Sequence, residues 1–178
     1  MVPEAPLEQT EFGRVPQGEG WFVVNAKESR WLEHKAFGSG TTFEGEPEFK
    51  QLGINISVVE PGQPVCLYHR EEAQEDFLVL FGEALLLVEG EERRLKAWDF
   101  VHSPPSTEHV IVGAGEGPCA ILAVGGRGPD EQLFYPASDL ARRHGASAEQ
   151  DTPDPKEAYA PFGRAAPAPY RGQLDGAS

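Results

Sequence analysis

The sequence predicts an all-β domain, a barrel or sandwich of many short strands, on three observations. Gly and Pro supply 20 and 16 of its 178 residues, which cuts the chain into short elements separated by turns. Between those signals, runs rich in β-branched, aromatic and aliphatic residues recur at the spacing of all-β domains. The length is that of about one domain, and a chain of this size buries about 70% of its unfolded surface, so a single core forms without covalent staples.

The elements follow in order. Residues 1–20 are polar, with Pro3, Pro6 and Pro16, and are expected to form an N-terminal arm. The barrel is expected over residues 21–126. Its strand-like runs are Trp21–Ala26, Arg30–Phe37, Thr41–Phe43, Phe49–Val59 and Val65–His69, then Asp76–Phe81, Ala84–Glu89, Glu92–Leu95, Phe100–Ser103, His109–Val112 and Cys119–Val124. Turn signals such as Pro61-Gly62, Gly82, Pro104-Pro105 and Gly125-Gly126 part them. The clearest hairpin runs from Leu80 to Glu91 and turns near Glu89-Gly90. Residues 127–178 form a C-terminal extension. Ala137–His144 reads as a short helix, with Ser138 as cap, Asp139 in the first turn and Gly145 past the end. The rest, carrying Pro153, Pro155, Pro161, Pro167 and Pro169, is an irregular tail, partly disordered or wrapped on the surface, with Tyr159, Phe162 and Tyr170 as anchors.

Charge narrows the partners. Fifteen Lys and Arg against 29 Asp and Glu leave a net charge of −14. Such a surface repels phosphate backbones and anionic lipid, which makes nucleic acid and membrane poor partners and a metal ion or cationic ligand a better one. The longest apolar stretches fall far short of the ~20 residues that span a bilayer, and the N-terminus lacks the basic and apolar regions of a secretion signal. Cys66 and Cys119 are too few for a disulfide framework. The expectation is a cytoplasmic protein.

The chemistry concentrates between Pro61 and Gly113. In a strand, His69 and Glu71 point to one side and Arg70 to the other, and Glu75 begins the next strand, from where an antiparallel neighbour can bring its carboxylate back beside His69. His109 opens a later strand after the rigid Pro104-Pro105 turn. Two imidazoles and one or two carboxylates converging inside a barrel make a site for a divalent transition metal.

These residues resemble the cupin superfamily, whose first motif reads G-x5-H-x-H-x3,4-E-x6-G and second G-x5-P-x-G-x2-H-x3-N. His69-x-Glu71-x3-Glu75-x6-Gly82 keeps the first spacing, with Glu71 in place of the second histidine and Gly62 one residue further upstream than the pattern asks. Trp98-x5-Pro104-x-Ser106-x2-His109-x3-Gly113 keeps the second, with Trp98, Ser106 and Gly113 replacing Gly, Gly and Asn. The likeness covers about residues 49–125. It implies a double-stranded β-helix, or jelly-roll barrel, and a divalent metal (Fe, Mn, Ni or Zn) on His69, Glu75 and His109. Glu71, at the substituted fourth position, is either a further metal ligand or an unbound neighbour, and in the second case is placed to act as a catalytic general base. Without Glu71 the donors form a 2-His-1-carboxylate triad with open positions. The function expected is a metal-dependent enzyme, an oxygenase or an isomerase, acting on a small organic molecule. A non-catalytic cupin that holds a metal or small ligand is the alternative, and a metal-free assembly protein a third class.

Strand parity assigns the neighbours. Phe77, Val79 and Phe81 share the side of Glu75, and Leu67 that of His69, giving the cavity apolar walls. Cys66 and Tyr68 have the opposite parity and are expected to pack outside, as Gln74 is expected to face the surface. His102 is expected to be structural, and His34 and His144 have no matching partners. Trp21–Ala26, as an edge strand, is the expected contact of a homodimer.

Overall fold

Apolar residues at alternate positions build two facing antiparallel sheets. The structure is a computed structural model that describes residues 1–128 and 132–176. The parts of the expected C-terminal extension at 129–131 and 177–178 lie outside the described residues. The strands are β1 (Leu7–Thr10), β2 (Gly13–Pro16), β3 (Trp31–His34), β4 (Gly38–Thr41), β5 (Leu52–Val59), β6 (Arg70–Glu71) and β7 (Glu75–Phe81). They continue with β8 (Glu83–Val88), β9 (Glu91–Lys96), β10 (Phe100–Ser103), β11 (His109–Ala114), β12 (Cys119–Gly126), β13 (Leu133–Phe134) and β14 (Ala166–Ala168). Two short helices, α1 (Asp139–Arg143) and α2 (Pro155–Ala158), and a 3₁₀ turn at Ala160–Phe162 lie in the C-terminal region.

The larger sheet has the order β10-β7-β12-β5-β4-β3-β14 and the smaller β11-β8-β9. Val59, Phe77, Cys119 and Ile121 from the first meet Ala84, Leu86 and Ile111 from the second in one buried cluster, which makes the molecule a jelly roll. Along β7 alternate residues Phe77, Val79 and Phe81 are buried, as period-2 patterning requires. In β11 that alternation is absent: five consecutive residues are buried. Ile111 faces the barrel core, whereas Val110 and Val112 pack with Tyr68, Ala141 and Ala146 beneath α1. A strand covered on both faces reads as a continuous apolar run.

The β8–β9 hairpin turns on Glu89 and Gly90, with φ of 49° and 79°, the left-handed pair that matches strand twist in a two-residue loop. Trp98 and Ser106, which stand where the second motif has glycine, have φ of 73° and 68°. The backbone keeps the glycine conformation after the glycines are gone. At Gly113 a Cβ would lie 2.2 Å from the Glu60 carbonyl oxygen, so the motif's asparagine does not fit in this chain.

Several expectations are corrected. Trp21–Ala26 is not a strand: only Trp21 makes an isolated bridge, to Glu4, and Trp21 and Val23 are 52% and 78% exposed. Val65–His69 is not a regular strand either. Val65 N–H donates to Ile111 O and His69 N–H to His109 O, so a step of four residues on this segment spans two on β11. The extra residues bulge outward, and the C-terminal region meets their amides: Leu67 N–H donates to the Tyr159 hydroxyl at 3.1 Å and Tyr68 N–H to Ala146 O at 2.6 Å.

The first twenty residues, expected as an arm, fold into the β1–β2 hairpin with Ala5 and Val15 buried. The expected helix forms at α1, with Ser138 Oγ accepting from Ala141 N–H at 3.2 Å. Its tail wraps: β14 pairs with β3, Tyr170 packs on Trp31 with ring centroids 5.6 Å apart, and Tyr159 and Phe162 pack on Phe37.

Candidate metal centre

Three segments distant in sequence converge at one end of the barrel. His69 follows the bulge, His109 opens β11, and Glu75 opens β7. The ligand atoms of these three residues all lie within 4.8 Å of one another, and among the described residues they form the one such group. His109 is buried, and the side chains of His69 and Glu75 are only 12% and 16% exposed.

Each imidazole is oriented by its own segment. His69 Nδ1 lies 2.8 Å from Leu67 O and His109 Nδ1 lies 2.9 Å from Thr107 O. A carbonyl only accepts, so both Nδ1 atoms carry hydrogens. The neutral rings then present the lone pairs of Nε2 inward, the tautomer that binds metals. These Nε2 atoms stand 3.4 Å (His69) and 3.0 Å (His109) from Glu75 Oε2, yet Oε2 and His109 Nε2 are buried without an aligned hydrogen-bond partner among the described residues. Acceptors pointed at one another at this range repel unless a cation lies between them, and that cation is either a proton or a metal ion.

The electrostatics agree. Burial alone would raise the pKa of Glu75, but the hydrogen-bonding groups and charges of His109 and His69 outweigh it and hold the carboxyl far below its usual range. Burial would lower His69, but Cys66 and Glu75 beside it raise it well above its ordinary value. Glu71 adds charge. Its Oε1 and that of Glu75 lie 3.6 and 3.5 Å from where a Gly125 Cβ would be, so two carboxylates share one buried wall. The donor set therefore fits a divalent transition metal, with two imidazoles and one carboxylate as first candidates.

The centre opens into a cavity of about 350 Å³. Ile56, Phe77, Ile111 and Ile121 supply much of its apolar wall, and none of its described lining residues is Lys or Arg. Tyr135 and Tyr159 close one side from the C-terminal region. Burial, followed by the Cys66 sulfur, raises the pKa of both phenols. They remain protonated donors at neutral pH.

Parity reasoning placed several residues wrongly. Cys66 lines the cavity, with Sγ 3.8 Å from His69 Nδ1, because the bulge breaks the alternation on which its outward placement relied. Leu67 is turned instead into a cluster with Tyr135, Ala148 and Ala158. Of Phe77, Val79 and Phe81, only Phe77 lines the cavity. Glu71 is buried but stands outside the converging group. Gln74 faces outward and donates to Asp76 Oδ2 at 2.6 Å. His102 is half exposed beside Asp76, and His144 Nε2 pairs with Glu92 at 3.1 Å. Tyr135 and Tyr159 were missed as site residues. They sit in a tail without periodicity, and nothing local signals that it returns to the barrel.

The jelly roll and its converging imidazoles define a barrel whose donor set could hold a metal ion. The cupin-domain profile Cupin_2 matches residues 55–125, and that segment is assigned to the cupin superfamily. Among solved structures it is similar to a sugar phosphate isomerase of the cupin superfamily from Silicibacter pomeroyi, 26% identical with a TM-score of 0.51, over 64% of this chain and 68% of that one. It shares the fold of a polyketide cyclase from Streptomyces resistomycificus (16% identical, TM-score 0.52, 62% of this chain and 84% of that one). It also shares the fold of a predicted oxalate decarboxylase from Thermotoga maritima (21%, 0.52, 60% and 99%). Against a structure from Acidithiobacillus ferrooxidans, 27% identical with a TM-score of 0.45, the match covers 47% of this chain and spans 55% of that chain's length. A comparison with curated protein sequences gives no match.

Proposed function

We propose that the chain is a metal-dependent cupin that binds one divalent transition-metal ion on His69, Glu75 and His109 and acts on a small organic molecule in the adjoining cavity. The observation that carries this reading is the convergence of three inward-facing acceptor atoms within 4.8 Å of one another, two of them buried without partners. Metal bound there supplies Lewis acidity and open coordination positions. Leu67 O and Thr107 O hold the two imidazoles in register, Phe77 and the isoleucines exclude water, and Glu71, which shares a buried wall with Glu75, is the carboxyl that would hold a proton for the reaction.

The cavity favours a substrate without a phosphate. A sugar phosphate is held best by cationic donors at its anionic end, and the described lining includes no Lys or Arg. At about 350 Å³ it lies at the small end of ligand pockets. Oxygenase chemistry suits the 2-His-1-carboxylate set, with isomerisation as the other reaction open to it.

Elemental analysis of protein purified without chelators is the test, with about one ion per chain expected. Unchanged metal content in both His69→Ala and His109→Ala would overturn the site. With metal present, oxygen uptake by the Fe(II) form across small phenols, thiols and diketones is the expected outcome of the oxygenase reading. Absence of uptake with every member overturns it in favour of isomerisation or binding alone.

A further inference from the structure

Tyr135 lies outside the matched cupin segment 55–125, yet it is 95% buried, with 5% relative exposure, and lines the cavity. Its ring is fixed on three sides. Tyr135 N–H donates to Thr152 O at 2.9 Å and Thr152 N–H to Tyr135 O at 3.1 Å. Tyr159 packs edge-on at 5.6 Å and 85°, and the His69 ring lies 5.8 Å away on the metal side. Tyr159 is itself immobilised, since its hydroxyl accepts from Leu67 N–H. The Tyr135 hydroxyl, by contrast, makes no hydrogen bond to any described residue. A phenol in such a wall is available to a ligand, and the cavity it lines also holds the His69–Glu75–His109 group.

We infer that Tyr135 is a ligand-binding residue whose hydroxyl donates a hydrogen bond to a second oxygen of a molecule that places its first oxygen at the metal. This deepens and rests on the metal-centred reading above. The chemistry it selects is a small, uncharged or singly anionic molecule with two neighbouring oxygens and an apolar body, as in α-hydroxyketones, β-diketones and catechols. The metal and Tyr135 take the oxygens, and the apolar wall around Ile56, Phe77 and Ile111 takes the body.

The test uses the full-length protein loaded with Co(II), whose visible absorption reports on ligands entering its coordination sphere, and acetylacetone as the probe. Metal content, thermal midpoint and the acetylacetone dissociation constant are measured for the parent protein and Tyr135→Phe. The expected result is unchanged Co(II) content and midpoint, with probe binding weakened about ten-fold or more, the size of one hydrogen bond to an anionic oxygen. Equal affinity in the two proteins overturns the role of Tyr135 while leaving the metal site standing, and so does an absence of any spectral change with acetylacetone. Failure of the parent protein to hold Co(II) overturns the metal reading itself. Tyr170→Phe, at a phenol that packs on Trp31 away from the cavity, is expected to leave probe affinity within about two-fold; a ten-fold loss there would assign the effect to a general change of packing and overturn the inference.

Discussion

His69 and His109 face each other across an isolated antiparallel bridge, each donating its backbone N–H to the other's carbonyl, at 3.1 and 2.8 Å. Directly opposed residues project their side chains to the same face, which is why the rings come within 5.0 Å. The backbone pairing itself places both imidazoles. Metal affinity should therefore depend on the ring nitrogens and on Glu75, with little folding cost charged to binding.

Loss of one imidazole or of the carboxylate should abolish the site. Outer-shell substitutions weaken metal sites about 10- to 100-fold, so His69→Ala, His109→Ala and Glu75→Gln are each expected to exceed that range. Competition with a chromogenic chelator measures it.

Glu71→Gln is expected to leave about one ion per chain, because Glu71 lies outside the converging group. Loss of the ion, measured by elemental analysis after gel filtration, would make Glu71 a fourth ligand.

Removing the ion should destabilise the fold. At a free-ion concentration 100 times the dissociation constant, linkage contributes about 2.7 kcal/mol, which corresponds to roughly 5–10 °C in a domain of this size. Thermal unfolding with and without EDTA checks this, and His109→Ala should show no EDTA response.

Alkaline pH should loosen the core through Cys119. The thiol is fully buried, and burial pushes its pKa from 9.0 up to about 11. A group whose pKa is raised on folding stabilises the protein below its unfolded value and loses that contribution as pH climbs to the folded one. Stability should fall between about pH 9 and 11, by at most about 3 kcal/mol for two pH units. Urea unfolding across this window should be flatter for Cys119→Ala.

Trp98 occupies a left-handed backbone position with its side chain 73% exposed. That conformation costs a non-glycine residue about 1–2 kcal/mol, part of which glycine returns as unfolded-chain entropy. Trp98→Gly is expected to raise stability by about 1 kcal/mol in urea titrations.

The strands with clear local signals were legible as sequence, since β7 carries period-2 burial and the β8–β9 hairpin a glycine turn. The histidine and carboxylate spacing likewise identified the group at which the structure converges. Cys66 and Leu67 were misplaced because a bulge leaves no local mark: Val65 and His69 read as one strand until β11 shows that four residues span two. Trp21–Ala26 looked apolar enough for a strand, but no neighbouring strand pairs with it along its length. Tyr135 and Tyr159 were invisible as cavity residues, because their placement depends on where the tail returns and not on its own pattern.

The two borders of the seven-stranded sheet are unequal. One border is β14, Ala166-Pro167-Ala168, where the proline offers no amide hydrogen and interrupts the row of donors that an incoming strand would need. The other is β10, Phe100–Ser103, whose four residues all retain that hydrogen. Lateral growth of the sheet is thus discouraged on the side closed by the chain's own tail and left to β10 alone, a built-in direction for any strand that would add to it.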